Sequence, residues 1–596
     1  MYGYNGKILR VNLTDGSWKT EELDLEMAKK FIGGRGLGTK MMMDEVDPKV
    51  DPLSPENKLF VVTGPMTGNP VATGGRYMVV TKSPLSNTIA SSNSGGKWGA
   101  ELKFSGWDII AFEGKSEEPV YLSIDDDKVE LLSAADLWGT TVSNTTKKLE
   151  EKHADGCKVL AIGPGGENLS HIAAIMNDED RAAGRSGVGA VMGSKNLKAI
   201  VVKGSGKPDV PDQDRIKELN KKQLAKIKEN GVTGEGLPTY GTAVLVNILN
   251  ELGSLPTNNF QEAHFDKAEE ISGETLADKY LIKRTACYRC PIGCGRYVKS
   301  GDWEGGGPEY ETLWSFGSDC GISDMDSIIM ANYWCNEMGI DTISAGATIA
   351  AAIELYQKGY IKDEELDGLK LEFGNGTDIA EWVKRMGYGQ GLGAKMAQGS
   401  YRLADGYGVP EFSMTVKKLE MPAYDPRGIM GIGLNYATSN RGGCHVRGYT
   451  ISPEVLGLPE QLDRFDTKAK PTWVKIFQDL TAAIDSLGVC LFTSFALGAD
   501  DYAEMYNVIA GTDFTGNDIL AIGDRIYNIE KQFNLLAGVT PAEDTLPKRL
   551  LNDPIPEGPS EGWVNKLDEM LGEYYKERGW GEDGIPTEAK LKELGL

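Results

Sequence analysis

Three cysteines, Cys287, Cys290 and Cys294, stand in the short stretch Cys-Tyr-Arg-Cys-Pro-Ile-Gly-Cys. The C-x2-C-x3-C spacing, with a proline and a glycine inside it, fits two metal chemistries. Thiolates hold iron–sulfur clusters, usually four per cluster. They also hold structural zinc, again with four ligands. Either chemistry demands a fourth ligand from elsewhere, so the fold must bring a distant segment onto this loop. The order is the reverse of the C-x3-C-x2-C arrangement of radical enzymes that use S-adenosylmethionine. The plain alternative is three buried free thiols, since free Cys is among the most buried residue types. Candidates for the fourth ligand are Cys157, Cys320, Cys335, Cys444 and Cys490.

A chain of 596 residues is long enough for several domains and a large core. Eight cysteines in that length are no disulfide scaffold. The opening MYGYNGKILRV lacks a basic region followed by an apolar one, so no secretory signal is expected. The longest apolar runs, Ile343–Leu355 and Leu487–Ala499, are shorter than the roughly 18 residues of a membrane span. The expectation is a soluble, cytoplasmic protein with reduced thiols. A net charge of −24 argues against nucleic acid as partner, because phosphates need Lys and Arg. The 74 glycines exceed the usual share of about 7%. Much of the backbone must turn tightly or approach something closely.

Residues 1–208 read as β-rich. Short Val/Ile-rich runs bounded by Gly, Pro, Asn and Asp, from Lys7–Leu13 to Leu197–Lys203, are the candidate strands. Few helical periods separate them, which predicts a mostly antiparallel sheet system. Gly204–Asp214 reads as a linker. Residues 209–415 and 416–596 then read as two mainly helical domains. Arg215–Glu229, Asp326–Glu337, Ser344–Lys358, Ala394–Tyr407, Trp473–Ser486 and Asn517–Leu535 are among the expected helices. The class is therefore α+β. No internal repeat and no low-complexity tract is legible.

Two glycine-rich runs, Ser91–Gly99 and Arg181–Gly189, mix Gly with basic and hydrogen-bonding side chains. Bare amides in such loops can form anion-binding nests, although turns give the same composition. Gly33–Gly38 has the look of a dinucleotide fingerprint, but no convincing strand precedes it and no βαβ unit is evident. Nicotinamide binding is discounted. Two further stretches share one pattern: Asn336-Glu-Met-Gly339-Ile340-Asp341 and Asp485-Ser-Leu-Gly488-Val489-Cys490. Each places a hydrogen-bonding side chain beside a close-approach glycine. One copy alone is an ordinary helix C-cap. Two copies suit two copies of one flat polar ligand.

The chain resembles the tungsten-containing aldehyde:ferredoxin oxidoreductase family over essentially its whole length. The resemblance rests on Tyr4-Asn-Gly-Lys7, GGRGLG, VTGPMTG, SSNSGGKWG, DRAAGRSGVGAVMGSKNLKAI, the cysteine triplet, GPEYET, GIDTIS, RGGCHVRG and DSLGVC. It implies tungsten, or sometimes molybdenum, between two pterin dithiolenes, with Mg2+ bridging the pterin phosphates and one [4Fe-4S] cluster. It also implies a β-rich N-terminal domain forming a base for the bis-pterin cofactor, covered by the two helical domains. The implied cluster ligands are Cys287, Cys290, Cys294 and Cys490. Implied pterin contacts are Arg76, Asn93, Gly95, Arg181, Ala182, Gly184, Asn336, Ile340, Asp341, Arg441, Arg447, Asp485, Val489 and Cys490. Backbone carbonyls of Asn93 and Ala182 would hold the Mg2+, a hard cation that prefers oxygen.

Glu311 and His445 match the family's active-site pair, with Glu309 the nearest competitor. The implied reaction interconverts aldehydes and carboxylic acids. His445 polarises the aldehyde oxygen, Glu311 takes a proton from the attacking water, and electrons leave singly for ferredoxin or a small polyferredoxin-like subunit. Two positions depart from the family. Asn336 stands where Asp is frequent, and Met330 stands where some relatives place a Glu for an iron shared between subunits. An iron-bridged homodimer is therefore not expected. Cys157, Cys320, Cys335 and Cys444 receive no role. The competing readings are a tungsten-dependent reductase of an acyl-CoA or aromatic substrate, and a zinc-stabilised binding protein without redox chemistry.

Overall fold

A computed structural model describes residues 1–596. The first third forms two six-stranded sheets. The first sheet comprises β1 (Lys7–Asn12), β2 (Ser17–Glu22), β3 (Leu59–Thr63), β4 (Tyr77–Lys82), β5 (Ile89–Ser94) and β6 (Ile109–Glu113). The second comprises β7 (Val120–Asp125), β8 (Lys128–Ser133), β9 (Lys158–Ala161), β10 (Ile175–Asn177), β11 (Arg181–Ala183) and β12 (Leu197–Lys203). They stack face to face. Val61, Val79, Ile110 and Phe112 of one sheet meet Leu122, Leu160, Ile200 and Val202 of the other in a single core. The alternate residues Phe60, Val62, Met78 and Val80 point the other way, into the core shared with the helices. Strands covered on both faces need no polar alternation, which is why LFVVT and YMVVTK read as unbroken apolar runs.

The strand orders are β2-β1-β6-β3-β4-β5 and β8-β7-β12-β9-β10-β11. These match strand for strand under a shift of six. The directions match too: β1 with β6 and β7 with β12 are parallel, and the other pairs are antiparallel. The domain is thus duplicated in topology, although no repeat is visible in its letters. Backbone pairing and two-sided burial accept many apolar side chains, so topology outlasts sequence likeness. Three strands went unforeseen: β2, whose side chains are mostly exposed, and β5 and β11, hidden in the glycine-rich runs.

Each sheet docks one helix end. After β3 comes Gly64-Pro65, and just after β9 comes Gly163-Pro164. The helix Lys470–Leu487, capped by Gly488 at φ 85°, ends on Gly64; a Cβ there would stand 2.2 Å from the Leu487 carbonyl oxygen. The helix Met325–Met338, capped by Gly339 at φ 65°, ends on Gly163, where a Cβ would stand 2.5 Å from the Met338 carbonyl. The last carbonyls of a helix lack intrahelical donors. Met66 N–H supplies one to Leu487, at 3.0 Å, and Ala174 N–H one to Gly339, at 2.8 Å. Both pterin-like patterns of the sequence lie at these two equivalent junctions.

Gly33 precedes the helix Gly34–Glu45, which follows another helix, Leu25–Phe31. No strand leads into it. A Cβ on Gly34 would stand 2.2 Å from the Asp485 carbonyl oxygen, so these glycines allow the N-terminal part to press against the second junction. The cysteine triplet lies in the connection between β13 (Leu281–Thr285) and β14 (Gly295–Ser300), part of a small three-stranded sheet with β15 (Trp303–Gly306). The expected helix Ala394–Tyr407 is two, Gly391–Met396 and Ser400–Gly406, parted at Gly399 with φ 88°. No helix is long and apolar enough to cross a membrane.

Candidate active site

Cys287, Cys290, Cys294 and Cys490 line one small interior pocket together with Arg76 and Arg181. The hairpin connection supplies three thiols. The fourth arrives at the end of the second helix junction, with Cys490 N–H bonded to Thr73 Oγ1 at 3.2 Å. Arg76 Nη2 donates to Cys490 Sγ at 3.1 Å, and its Nη1 donates to Asn93 Oδ1 at 3.1 Å. Burial raises the Cys290 thiol to about 11, with Cys490 adding to the shift. Burial likewise raises Cys294 well above the usual thiol range, helped by Glu309 and Cys490. Four thiols gathered beside two guanidinium groups form a set that, once deprotonated, a cationic metal assembly would stabilise. They surround a pocket and do not converge on a point: nowhere do three His, Cys, Asp or Glu side chains close around the position of a single ion.

A cavity of 540 Å³ adjoins this pocket. Cys287, Cys294, Arg76 and Arg181 belong to both walls. Gly95, Ala182, Gly184, Asn336, Ile340 and Asp341 also line the cavity, as do Glu311 and His445. A Cβ on Gly95 would stand 2.9 Å from Cys287 Sγ, so only glycine admits the cysteine loop here. Asn93 and Ala182 lie in β5 and β11, opposite Met78 and Met176 in their respective sheets. They are equivalent positions of the duplicated edge strands.

The second junction is not on the cavity wall. Asp485 accepts from Arg447 Nη1 at 2.9 Å and from Asn93 Nδ2 at 3.2 Å. Arg441 Nη1 donates to the Ser91 carbonyl at 2.8 Å. Val489 is buried beside them. Burial, with the nearby Arg35 and Arg441, lowers Arg447 to about 9. Arg35 Nη1 and Arg185 Nη1 are buried without hydrogen-bond partners. Each still faces a carboxylate, Arg35 Nη1 lying 3.6 Å from Asp485 Oδ2 and Arg185 Nε 3.2 Å from Asp341 Oδ2, so the two arginines flank both junctions. Buried guanidinium nitrogens with no hydrogen bond of their own fit an anionic, phosphate-bearing cofactor. Sequence reasoning gave Arg35 no role and Arg185 only a general one, as an arginine beside a glycine-rich run able to hold phosphate.

Glu311 lies in the first turn of the helix Tyr310–Phe316, and His445 opens the short turn His445–Arg447. Their side chains meet across the cavity, His445 Nε2 lying 3.5 Å from Glu311 Oε1. Glu311 Oε2 accepts from Ala423 N–H at 3.0 Å, while its Oε1 is buried without a hydrogen-bond partner. Burial raises Glu311 to about 8. Burial, reinforced by Arg185 and Arg441, holds His445 well below the usual imidazole range. Glu309 lines the same cavity but is engaged: it accepts from Thr242 Oγ1 at 2.6 Å and faces Arg181 at 3.7 Å. Tyr424 and Tyr449, bonded to each other at 2.9 Å, flank the His445 ring. Neither tyrosine carried any signal in the sequence.

The family model for the N-terminal domain of aldehyde ferredoxin oxidoreductase matches residues 8–204, and that for domains 2 and 3 matches residues 218–596. The chain belongs to the aldehyde ferredoxin oxidoreductase family. Within this oxidoreductase family it is 55% identical to a tungsten-containing aldehyde ferredoxin oxidoreductase of Pyrococcus abyssi, over 100% of this chain and 99% of that one. The relative of the same name from Pyrococcus furiosus is 54% identical with the same coverage. The WOR-like subunit of an aliphatic sulfonate oxidoreductase from Pyrococcus furiosus is 34% identical over 100% of this chain and 97% of its own length. Among solved structures, the BamBC active-site complex of benzoyl coenzyme A reductase with 1,5-dienoyl-CoA superposes with TM-score 0.87. It is 26% identical and covers 100% of this chain and 97% of that one. The tungsten-containing aldehyde ferredoxin oxidoreductases thus include chains with more than half of these residues.

Proposed function

We propose that this protein interconverts aldehydes and carboxylic acids at a tungsten bis-pterin centre and passes the electrons to a ferredoxin-type acceptor. The observation that carries the reading is Glu311 facing His445 on a cavity that shares two cysteines with the four-thiol pocket. Cys287, Cys290, Cys294 and Cys490 would hold a [4Fe-4S] cluster. Arg76, Gly95, Arg181, Ala182, Gly184, Asn336, Ile340 and Asp341 would hold one pterin; Asn93, Arg441, Arg447, Asp485, Val489 and Cys490 would hold the other. A ring that bonds Asp485 needs its pair with Arg447 to open. Carbonyls of Asn93 and Ala182, on equivalent edge strands, would share the Mg2+. When bound, these groups supply a two-electron acceptor and a one-electron relay.

The chain's own residues do the proton chemistry. Oxidation of an aldehyde, with water as the source of the added oxygen, gives the acid, two electrons and two protons. His445, neutral in its buried setting, donates an N–H to the aldehyde oxygen and polarises the carbonyl. The free Oε1 of Glu311 accepts a proton from the water that attacks the carbonyl carbon. Tyr424 and Tyr449 fix the imidazole and keep bulk water out. Val232, Leu237, Leu245, Leu456, Leu491 and Phe495 line the same cavity, and this apolar wall suits an aldehyde with an aliphatic or aromatic body. The benzoyl coenzyme A reductase complex shares the fold; the facing carboxyl and imidazole favour aldehyde chemistry.

Anaerobic purification followed by elemental analysis and an aldehyde-dependent viologen assay tests the proposal. Brown protein with about four irons per chain, tungsten or molybdenum, and viologen reduction by aldehyde is the expected result. Colourless protein containing only zinc sinks it.

A further inference from the structure

Cys287 and Cys290 line a second space besides the four-thiol pocket. On the outer side they floor an open depression of 450 Å³, together with Val71, Leu224, Arg289 and Pro291. A cluster in the inner pocket is therefore separated from solvent at this point by its own ligands. Leu224 is 40% exposed, although it belongs to the helix Gln213–Glu229 whose Ile216, Leu219 and Ile227 are buried. Its side chain stands on the wrong face for the core. Lys221 and Lys228, at i−3 and i+4 from Leu224, share that face.

The charges differ from those of the molecule as a whole. The chain carries 87 Asp and Glu against 63 Lys and Arg, yet no carboxylate lines this depression. Lysines elsewhere on the helix are tied up, Lys217 with Asp214, Lys222 with Glu504 and Lys226 with Asp501. Lys221, Lys228 and Arg289 are exposed and join no such pair. An apolar centre with a cationic rim, set in an anionic surface, admits an acidic partner at one place and repels it elsewhere.

Resting on the proposed redox function, we propose that this depression is the docking surface of an acidic one-electron iron–sulfur carrier. Leu224 and Pro291, both exposed, make the apolar contact, and Lys221, Lys228 and Arg289 steer the approach. Each aldehyde oxidised releases two electrons, so two oxidised carriers dock in turn and each leaves reduced by one electron. The electron passes outward from the cluster between Cys287 and Cys290, and no covalent bond forms.

The test uses the holoenzyme with an acidic [4Fe-4S] ferredoxin and, separately, with methyl viologen as acceptor. Two variants serve, Leu224→Glu and the double variant Lys221→Glu/Lys228→Glu. Each is expected to raise the KM for ferredoxin about 10-fold or more while viologen turnover stays within about two-fold. With the wild type, kcat/KM for ferredoxin should fall as ionic strength rises, and the double variant should lose most of that slope. A ferredoxin KM within about two-fold of wild type in both variants, with the salt slope kept, overturns the docking surface. Failure of the wild type to reduce viologen with any aldehyde would overturn the redox function itself, a different result.

Discussion

Glu309 and Glu311 sit two residues apart on one cavity wall, and their neighbours separate their roles. Glu309 is held by Thr242 and faces Arg181. Glu311 keeps one oxygen free toward His445. Replacing Glu311 with Gln preserves shape and removes the base. Turnover should fall by about 100-fold or more, with iron, tungsten and pterin contents unchanged; normal turnover in that variant removes Glu311 from the mechanism. Glu311 is raised to about 8, so its ionised form accumulates as pH rises. The kcat/KM profile should therefore climb toward pH 8 and then level, and Glu311→Gln should lose that climb. His445, held low by burial, should add no limb between about pH 6 and 7, near the ordinary imidazole value. Both residues were legible as letters, Glu311 within GPEYET and His445 as one of only four histidines. Their mutual approach was implied only by the family resemblance, because residues 134 positions apart meet only through packing.

The recurring element is a helix whose last turn lands on a Gly-Pro step after a strand. It occurs once per sheet, and it delivers Asn336–Asp341 to one side and Asp485–Cys490 to the other. Gly64 leaves no room for a side chain. Gly64→Ala should push the second helix away, costing about 1–3 kcal/mol and drawing Cys490 from its pocket. A lower urea midpoint together with less than the full iron content is the expected readout. Gly231→Ala is the control: nothing lies within 4 Å of the added Cβ, and the backbone is at φ −58°. Its midpoint should stay near that of the wild type. The twin patterns were visible in the sequence as spaced letters. The two Gly-Pro steps that receive them were not recognised as partners, because each is an ordinary turn signal until the sheets are seen to be equivalent.

Across the whole molecule, one buried ion pair joins the beginning of the chain to its end. Arg35, on the helix Gly34–Glu45, makes two hydrogen bonds of 2.7 Å to Glu530 on the helix Gly516–Leu536. Arg35→Met leaves Glu530 without its main counter-charge and should cost about 3–5 kcal/mol, read as a shift of the denaturation midpoint. Adding Glu530→Leu should recover part of the loss, since an apolar pair replaces an unpaired charge. The sequence by itself determined the chemistry on offer: thiols at ligand spacing, twin glycine-bearing patterns, a histidine in a glycine-rich motif, and a β-rich part followed by helical ones. Those are local properties, set by residue type and spacing. Tertiary structure alone decided that the two sheets are copies in topology and that Arg35 and Arg185 keep buried nitrogens without hydrogen bonds; it brings Cys490 to the triplet and Glu311 to His445, meetings that only the family resemblance implied beforehand. Each of these depends on contacts between segments far apart in sequence, where burial and close approach, and no local pattern, fix which groups meet.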